Sequence, residues 1–73
     1  MAEAVAETIR AERAARKWSQ AELAARAGIP RVTYIRYETG DRRPSLVQVA
    51  QIASALGLSL TAFSRRVEER YSE

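Results

Sequence analysis

The stretch Pro30-Arg31-Val32-Thr33-Tyr34-Ile35-Arg36-Tyr37-Glu38 holds the residue types best suited to chemistry on another molecule. On a helix turning about 100° per residue, with Arg31 at zero, Ile35 falls at about 40°, Val32 at about 100° and Arg36 at about 140°. Tyr37, Pro30 and Tyr34 fall at about 240°, 260° and 300°, on the other side. One face is therefore arginine, isoleucine, valine and arginine; the other is aromatic and suited to packing. A helix with a purely structural role seldom sets valine and isoleucine between two exposed arginines. A helix that meets duplex DNA has a use for both types. Arginine donates two hydrogen bonds to guanine, and an aliphatic group meets the thymine methyl. The opposite assignment packs Val32 and Ile35 inward and turns the tyrosines to water; the pattern favours the first.

Charge is distributed in keeping with that face. The formal net charge is +3, yet residues 1–9 carry only Glu3 and Glu7, a local −2. Residues 10–43 set nine cations (Arg10, Arg13, Arg16, Lys17, Arg26, Arg31, Arg36, Arg42, Arg43) against Glu12, Glu22, Glu38 and Asp41, a local +5. Residues 44–73 balance three arginines against three glutamates. Eleven arginines to one lysine, beside fourteen alanines, is what a GC-rich genome produces. That accounts for arginine over lysine but not for the clustering, which is expected where one face meets a polyanion.

Other chemistries are excluded by composition. Without cysteine or histidine there is no disulfide, zinc finger, iron–sulfur cluster, catalytic thiol or imidazole base. A single aspartate, Asp41, a single lysine, Lys17, and no glycine-rich phosphate loop argue against an enzyme, and no cofactor or metal is expected. No apolar run approaches the roughly 18–20 residues of a membrane span. The alternation of alanine with Glu3 and Glu7 is unlike a secretory signal. These features predict a cytoplasmic, nucleoid-associated module with no membrane partner.

The elements that must position this face are legible from punctuation. A chain of 73 residues forms one small domain, burying about 60% of its unfolded surface. Val5, Ile9 and the positions up to Arg16 predict a first helix of about three turns, interrupted at Lys17-Trp18. Ser19-Gln20-Ala21-Glu22 fits a capping box for a second helix stopping at Gly28. Pro30 suits the first turn of a third helix that ends before Gly40. Asp41-Arg42-Arg43-Pro44 is a polar loop. Ser45-Leu46-Val47-Gln48 offers a second box, its helix ending at Gly57, and Ser59 caps a fifth. Period-two alternation is missing and alanine is abundant, so no strand is predicted.

The expected fold class is all-α, a compact bundle of five short helices with a core over about 5–64 and residues 65–73 as a helical extension or tail. Leu60, Phe63, Val67 and Tyr71 form a stripe about 80° wide. Leu60 and Phe63 belong to the core by position. Val67 and Tyr71 have no evident partner in their own chain, so Phe63, Val67 and Tyr71 are expected at a two-fold interface with a second copy. The alternative is a frayed tail.

A short helix, a tight turn at Gly28 and a helix of this kind suit a major groove. The residues that carry a wider likeness are Ile9-Arg10 and Arg13, Trp18-Ser19-Gln20-Ala21-Glu22-Leu23-Ala24, Gly28, Tyr34, Tyr37-Glu38 and Gly40. Pro44-Ser45-Leu46, Ile52-Ala53 and Ala55-Leu56-Gly57-Leu58-Ser59-Leu60 complete it. From about Val5 to Phe63 the sequence resembles the phage-repressor helix-turn-helix family, the lambda-repressor-like Cro/CI or Xre-type DNA-binding proteins. The resemblance implies base contacts from Arg31, Val32, Thr33, Ile35 and Arg36, Thr33 at a base or at the backbone. It implies a phosphate clamp at Gln20 that also braces a recognition side chain. Further backbone contacts are implied for Arg10, Thr39, Arg42 and Arg43. Arg13 would turn inward and pair with Glu38, outside the DNA footprint.

The resemblance further implies a homodimer on a palindromic double-stranded operator, its third helices about 34 Å apart. Phage-type repressor, restriction–modification controller and antitoxin are not separable, so the implied protein partner is RNA polymerase or a toxin. A protein-interaction module using the Val32/Ile35 patch is the other reading. Five positions depart from the family pattern. Lys17 stands at a usual glycine, and Pro30 at a usual serine cap, which allows a helix start one residue early. Tyr34 and Tyr37 replace aliphatics, and their hydroxyls need partners or solvent. Trp18 replaces leucine and is expected to pack.

Overall fold

The computed structural model describes residues 2–72; Met1 and Glu73, the ends of the expected 1–73 domain, lie outside them. Five helices follow one another: α1 (Ala2–Ala15), α2 (Gln20–Ala27), α3 (Arg31–Thr39), α4 (Leu46–Ala55) and α5 (Leu60–Tyr71). No strand occurs among the described residues. Each of α2, α4 and α5 is opened by a serine in extended conformation. The hydroxyls of Ser19, Ser45 and Ser59 accept the amides of Glu22, Gln48 and Ala62 at 3.1, 3.2 and 3.0 Å. Each cap contributes about 1 kcal/mol. The reciprocal half of the box forms at Ser45, whose amide donates to Gln48 Oε1 at 3.0 Å. At Ser19 it does not, because Glu22 turns to Arg26 one helical turn on, at 3.1 Å.

The connection between α2 and α3 is short because Gly28 adopts a left-handed conformation (φ +70°). Its amide and that of Ile29 return to the carbonyls of Ala25 and Ala24 at 3.2 and 3.0 Å. Lys17 takes the same region (φ +59°) at the end of α1, where a side chain costs about 1–2 kcal/mol. The expectation that Pro30 joins the first turn of α3 is corrected by the structure. Pro30 occupies the capping position (φ −55°, ψ 137°) without a side-chain hydrogen bond, and Arg31 is the first helical residue. The early start is thereby ruled out. The first helix begins at Ala2, three residues ahead of Val5.

α1 packs on α3 and α5, α2 on α3 and α4, and α4 on α5. The centre is filled by Ile9, Leu23, Tyr34, Tyr37, Ile52 and Phe63, all essentially inaccessible. The expectation for the fifth helix is corrected here. Phe63 and Val67 are 1% and 6% exposed within their own chain, so neither offers an intermolecular surface, and Tyr71 alone of the three stays exposed. α5 runs unbroken past residue 64 and lies against α1, so the apolar stripe closes the core instead of leaving it. Across this contact Arg66 reaches Glu12 at 2.8 Å. Trp18 packs against the core with the Arg26 guanidinium 4.2 Å from its ring centroid.

Candidate nucleic-acid interface

α3 is held by its aromatic side. Tyr34 and Tyr37 are buried, whereas Arg31 and Arg36 are exposed and Val32 is 67% exposed. Thr33 and Ile35 are half-buried. Ile35 therefore lies at the border of the outward face and is only partly available to a partner. Among the described residues neither Arg31 nor Arg36 has an ion-pair partner. Arg42 and Arg43 are exposed in the loop after α3. The Arg42 amide donates to the Arg36 carbonyl at 3.2 Å, which keeps this loop against the end of the helix.

The orientation of α3 rests on Glu38, whose side chain is 3% exposed. Arg13 meets it side-on, Nε donating to Oε2 at 2.6 Å and a terminal nitrogen to Oε1 at 3.2 Å. Gln20 Nε2 donates to Oε1 at 3.2 Å, and the Tyr34 hydroxyl donates to Oε2. A guanidinium nitrogen of Arg10 donates to the Glu38 carbonyl. One residue of α3 thus gathers side chains from α1 and α2, which sets how α3 stands on the bundle. The family resemblance implied the Arg13 contact. The Tyr34, Gln20 and Arg10 contacts were missed, although the four-residue spacing of Tyr34 and Glu38 places both on one helix face.

Three residues expected at phosphates are thus committed, in part, within the chain. Gln20 directs an amide hydrogen inward to Glu38, which is bracing. Arg10 satisfies a carbonyl at the end of α3. The Thr39 hydroxyl donates to the Arg36 carbonyl at 3.1 Å and accepts the Asp41 amide at 3.3 Å, shaping the turn. Arg31, Val32, Arg36, Arg42 and Arg43 remain exposed.

Burial alone would push the Glu38 carboxyl upward, but the hydrogen bonds from Arg13, Tyr34 and Gln20 and the charge of Arg13 together hold it below the ordinary carboxylate range. Burial, and then Glu38, push the Tyr34 phenol well up, so it remains a donor. The hydrogen bond to Glu38 raises Arg13. A depressed carboxyl stabilises the fold fully above its unfolded value of about 4.3, and that contribution disappears as pH falls through the folded value. The melting temperature is therefore expected to hold between about pH 7 and 5 and to fall steeply below about 4.5. Glu12 is also lowered, by Arg16 and Arg66 against burial, and contributes with the same sign. Melting Glu38→Gln over this range is expected to remove part of the slope and leave the Glu12 part; an unchanged slope would assign all of it to other groups.

Among the described residues no single helix is long and apolar enough to cross a membrane. A family model described as helix-turn-helix matches residues 9–63, from the middle of α1 into α5. No curated protein and no solved structure matches the chain. With three quarters of the sequence matched, α2 and α3 joined at Gly28 and the bundle all-helical, the chain belongs to the Cro/CI/Xre-type helix-turn-helix family of DNA-binding regulators.

Proposed function

We propose that the protein is a sequence-specific transcriptional regulator of prokaryotic or phage type, acting in the cytoplasm. It binds a palindromic operator as a homodimer, with α3 in the major groove. The observation that carries this reading is the division of α3: tyrosines and Glu38 inward, Arg31, Val32 and Arg36 outward. Arg31 and Arg36 supply bidentate donors for guanine, and Val32 an apolar contact for thymine. Arg42 and Arg43 hold backbone phosphates, which give affinity and register but no sequence preference. Control follows from occupancy, by excluding polymerase from the operator or contacting it.

The homodimer is supported by what α3 leaves unused. Leu46, Val47 and Tyr71 are 71%, 68% and 61% exposed and lie on α4 and α5, apolar surface outside α3 that suits a second copy. The protein-interaction reading is weakened by Ile35. With that residue half-buried, Val32 is the only large exposed apolar side chain on α3 among the described residues.

Selection of bound duplexes from a random pool at two salt concentrations tests the proposal. The expected result is an enriched inverted repeat with half-sites about one DNA turn apart. Its affinity should fall steeply with salt, by about 0.9 log units per log unit of salt for each phosphate held. Enrichment of a lone half-site would refute the homodimer. No enrichment at either concentration would refute sequence-specific binding.

A further inference from the structure

A cavity of about 210 Å³ lies beside the loop after α3, lined by Tyr37, Arg42, Arg43, Pro44, Val5 and Val49 among others. Tyr37 is 1% exposed, and its buried hydroxyl has no hydrogen-bond partner among the described residues. A buried hydroxyl left in this way gives up its water without compensation, and such a group calls for an explanation. A second cavity of about 300 Å³, mainly apolar, is lined by Phe63, Val67, Ser64 and Glu68 and shares Val5 and Val49 with the first. The two therefore adjoin across the Val5–Val49 pair, one with a basic end and the other with an apolar floor. No ion pair within the described residues occupies Arg42 or Arg43, not even with the neighbouring Asp41.

From this juxtaposition we infer a binding site for a straight-chain amphipathic monocarboxylate. Its carboxylate accepts from Arg42, Arg43 and the Tyr37 hydroxyl, and its alkyl chain crosses Val5 and Val49 toward Phe63 and Val67. The match is one of chemistry. A carboxylate is an acceptor with several lone pairs and suits two guanidinium groups and a hydroxyl able to donate. A cavity of about 150 Å³ is enough for a benzene-sized apolar group, so the two together accommodate a chain of medium length. The site does not depend on the DNA-binding proposal; its consequence does. Arg42 and Arg43 are the residues proposed to hold phosphates, so the bound carboxylate competes with the duplex for them.

Titration calorimetry of the full chain with decanoate, kept below its micelle concentration, tests the site without DNA. Saturable binding of one decanoate per chain is expected. Tyr37→Phe should weaken it about tenfold, the loss of one hydrogen bond to a charged group. The same variant should melt no lower than the parent, since the hydroxyl it removes has no partner among the described residues. The double variant Arg42→Ala/Arg43→Ala should lose tenfold or more, and decan-1-ol should bind more weakly than decanoate. Absence of saturable heat, or equal affinity in Tyr37→Phe and the parent, would overturn the site. In a duplex-binding assay, decanoate should weaken the parent more than Tyr37→Phe. A duplex that never binds at all would count against the DNA proposal, while the calorimetry would still decide the site.

Discussion

Glu38→Ala is expected to destabilise the fold by about 3–5 kcal/mol, because it leaves one buried and two part-buried donors without this acceptor at once. Arg13 loses both of its side-on contacts, and Tyr34 and Gln20 lose theirs. Arg13 is 21% exposed and recovers some hydration, which places the value toward the lower end of that range. For a domain of this length, total stability is on the order of 4–11 kcal/mol. The expected drop in melting temperature is about 15–30 °C, measured by circular dichroism.

The double variant Arg13→Leu/Glu38→Met separates two explanations. If the pair chiefly avoids uncompensated charge, replacing both members with apolar groups recovers most of the loss. If Glu38→Ala melts within about 3 °C of the parent, the network does not hold α3 in place. The outward face proposed for DNA would then need another support.

The second large effect concerns recognition instead of folding. On the selected operator, Arg36→Ala is expected to cost about 1–3 kcal/mol, roughly a 5- to 150-fold loss of affinity. Binding to unrelated duplex should change little. Arg36 is exposed and free of intramolecular ion pairs among the described residues, so its removal should leave the melting temperature unchanged. Arg43→Ala should weaken operator and unrelated duplex alike and lower the salt slope by about one. Gel-shift titrations over a salt series measure all three quantities. Should the two variants act identically, the division between base and phosphate contacts would be wrong.

How far the sequence reaches depends on the range of the interaction concerned. The serine caps, the stop at Gly28 and the turn at Lys17 were legible because each is decided by hydrogen bonds and backbone angles within about four residues. The two faces of α3 were legible because helical pitch carries angle reliably over nine residues. Two failures arose where a local rule had a local competitor. Glu22 left Ser19 for Arg26, and Pro30 stopped outside the helix it was expected to open.

What the amino-acid order determined alone is therefore a set of five helices, the serines that open three of them, and the side of α3 that carries arginine and valine. Only the packed chain decided which apolar stripes find partners. Val67 looked spare because its cover is supplied by α1, more than fifty residues earlier. The same holds for Gln20, Arg10 and Glu38, whose contacts span 18 and 28 positions, and for the cavity at Tyr37, which four separate segments enclose. Such contacts depend on the relative placement of whole helices, and no short window of residues contains that information.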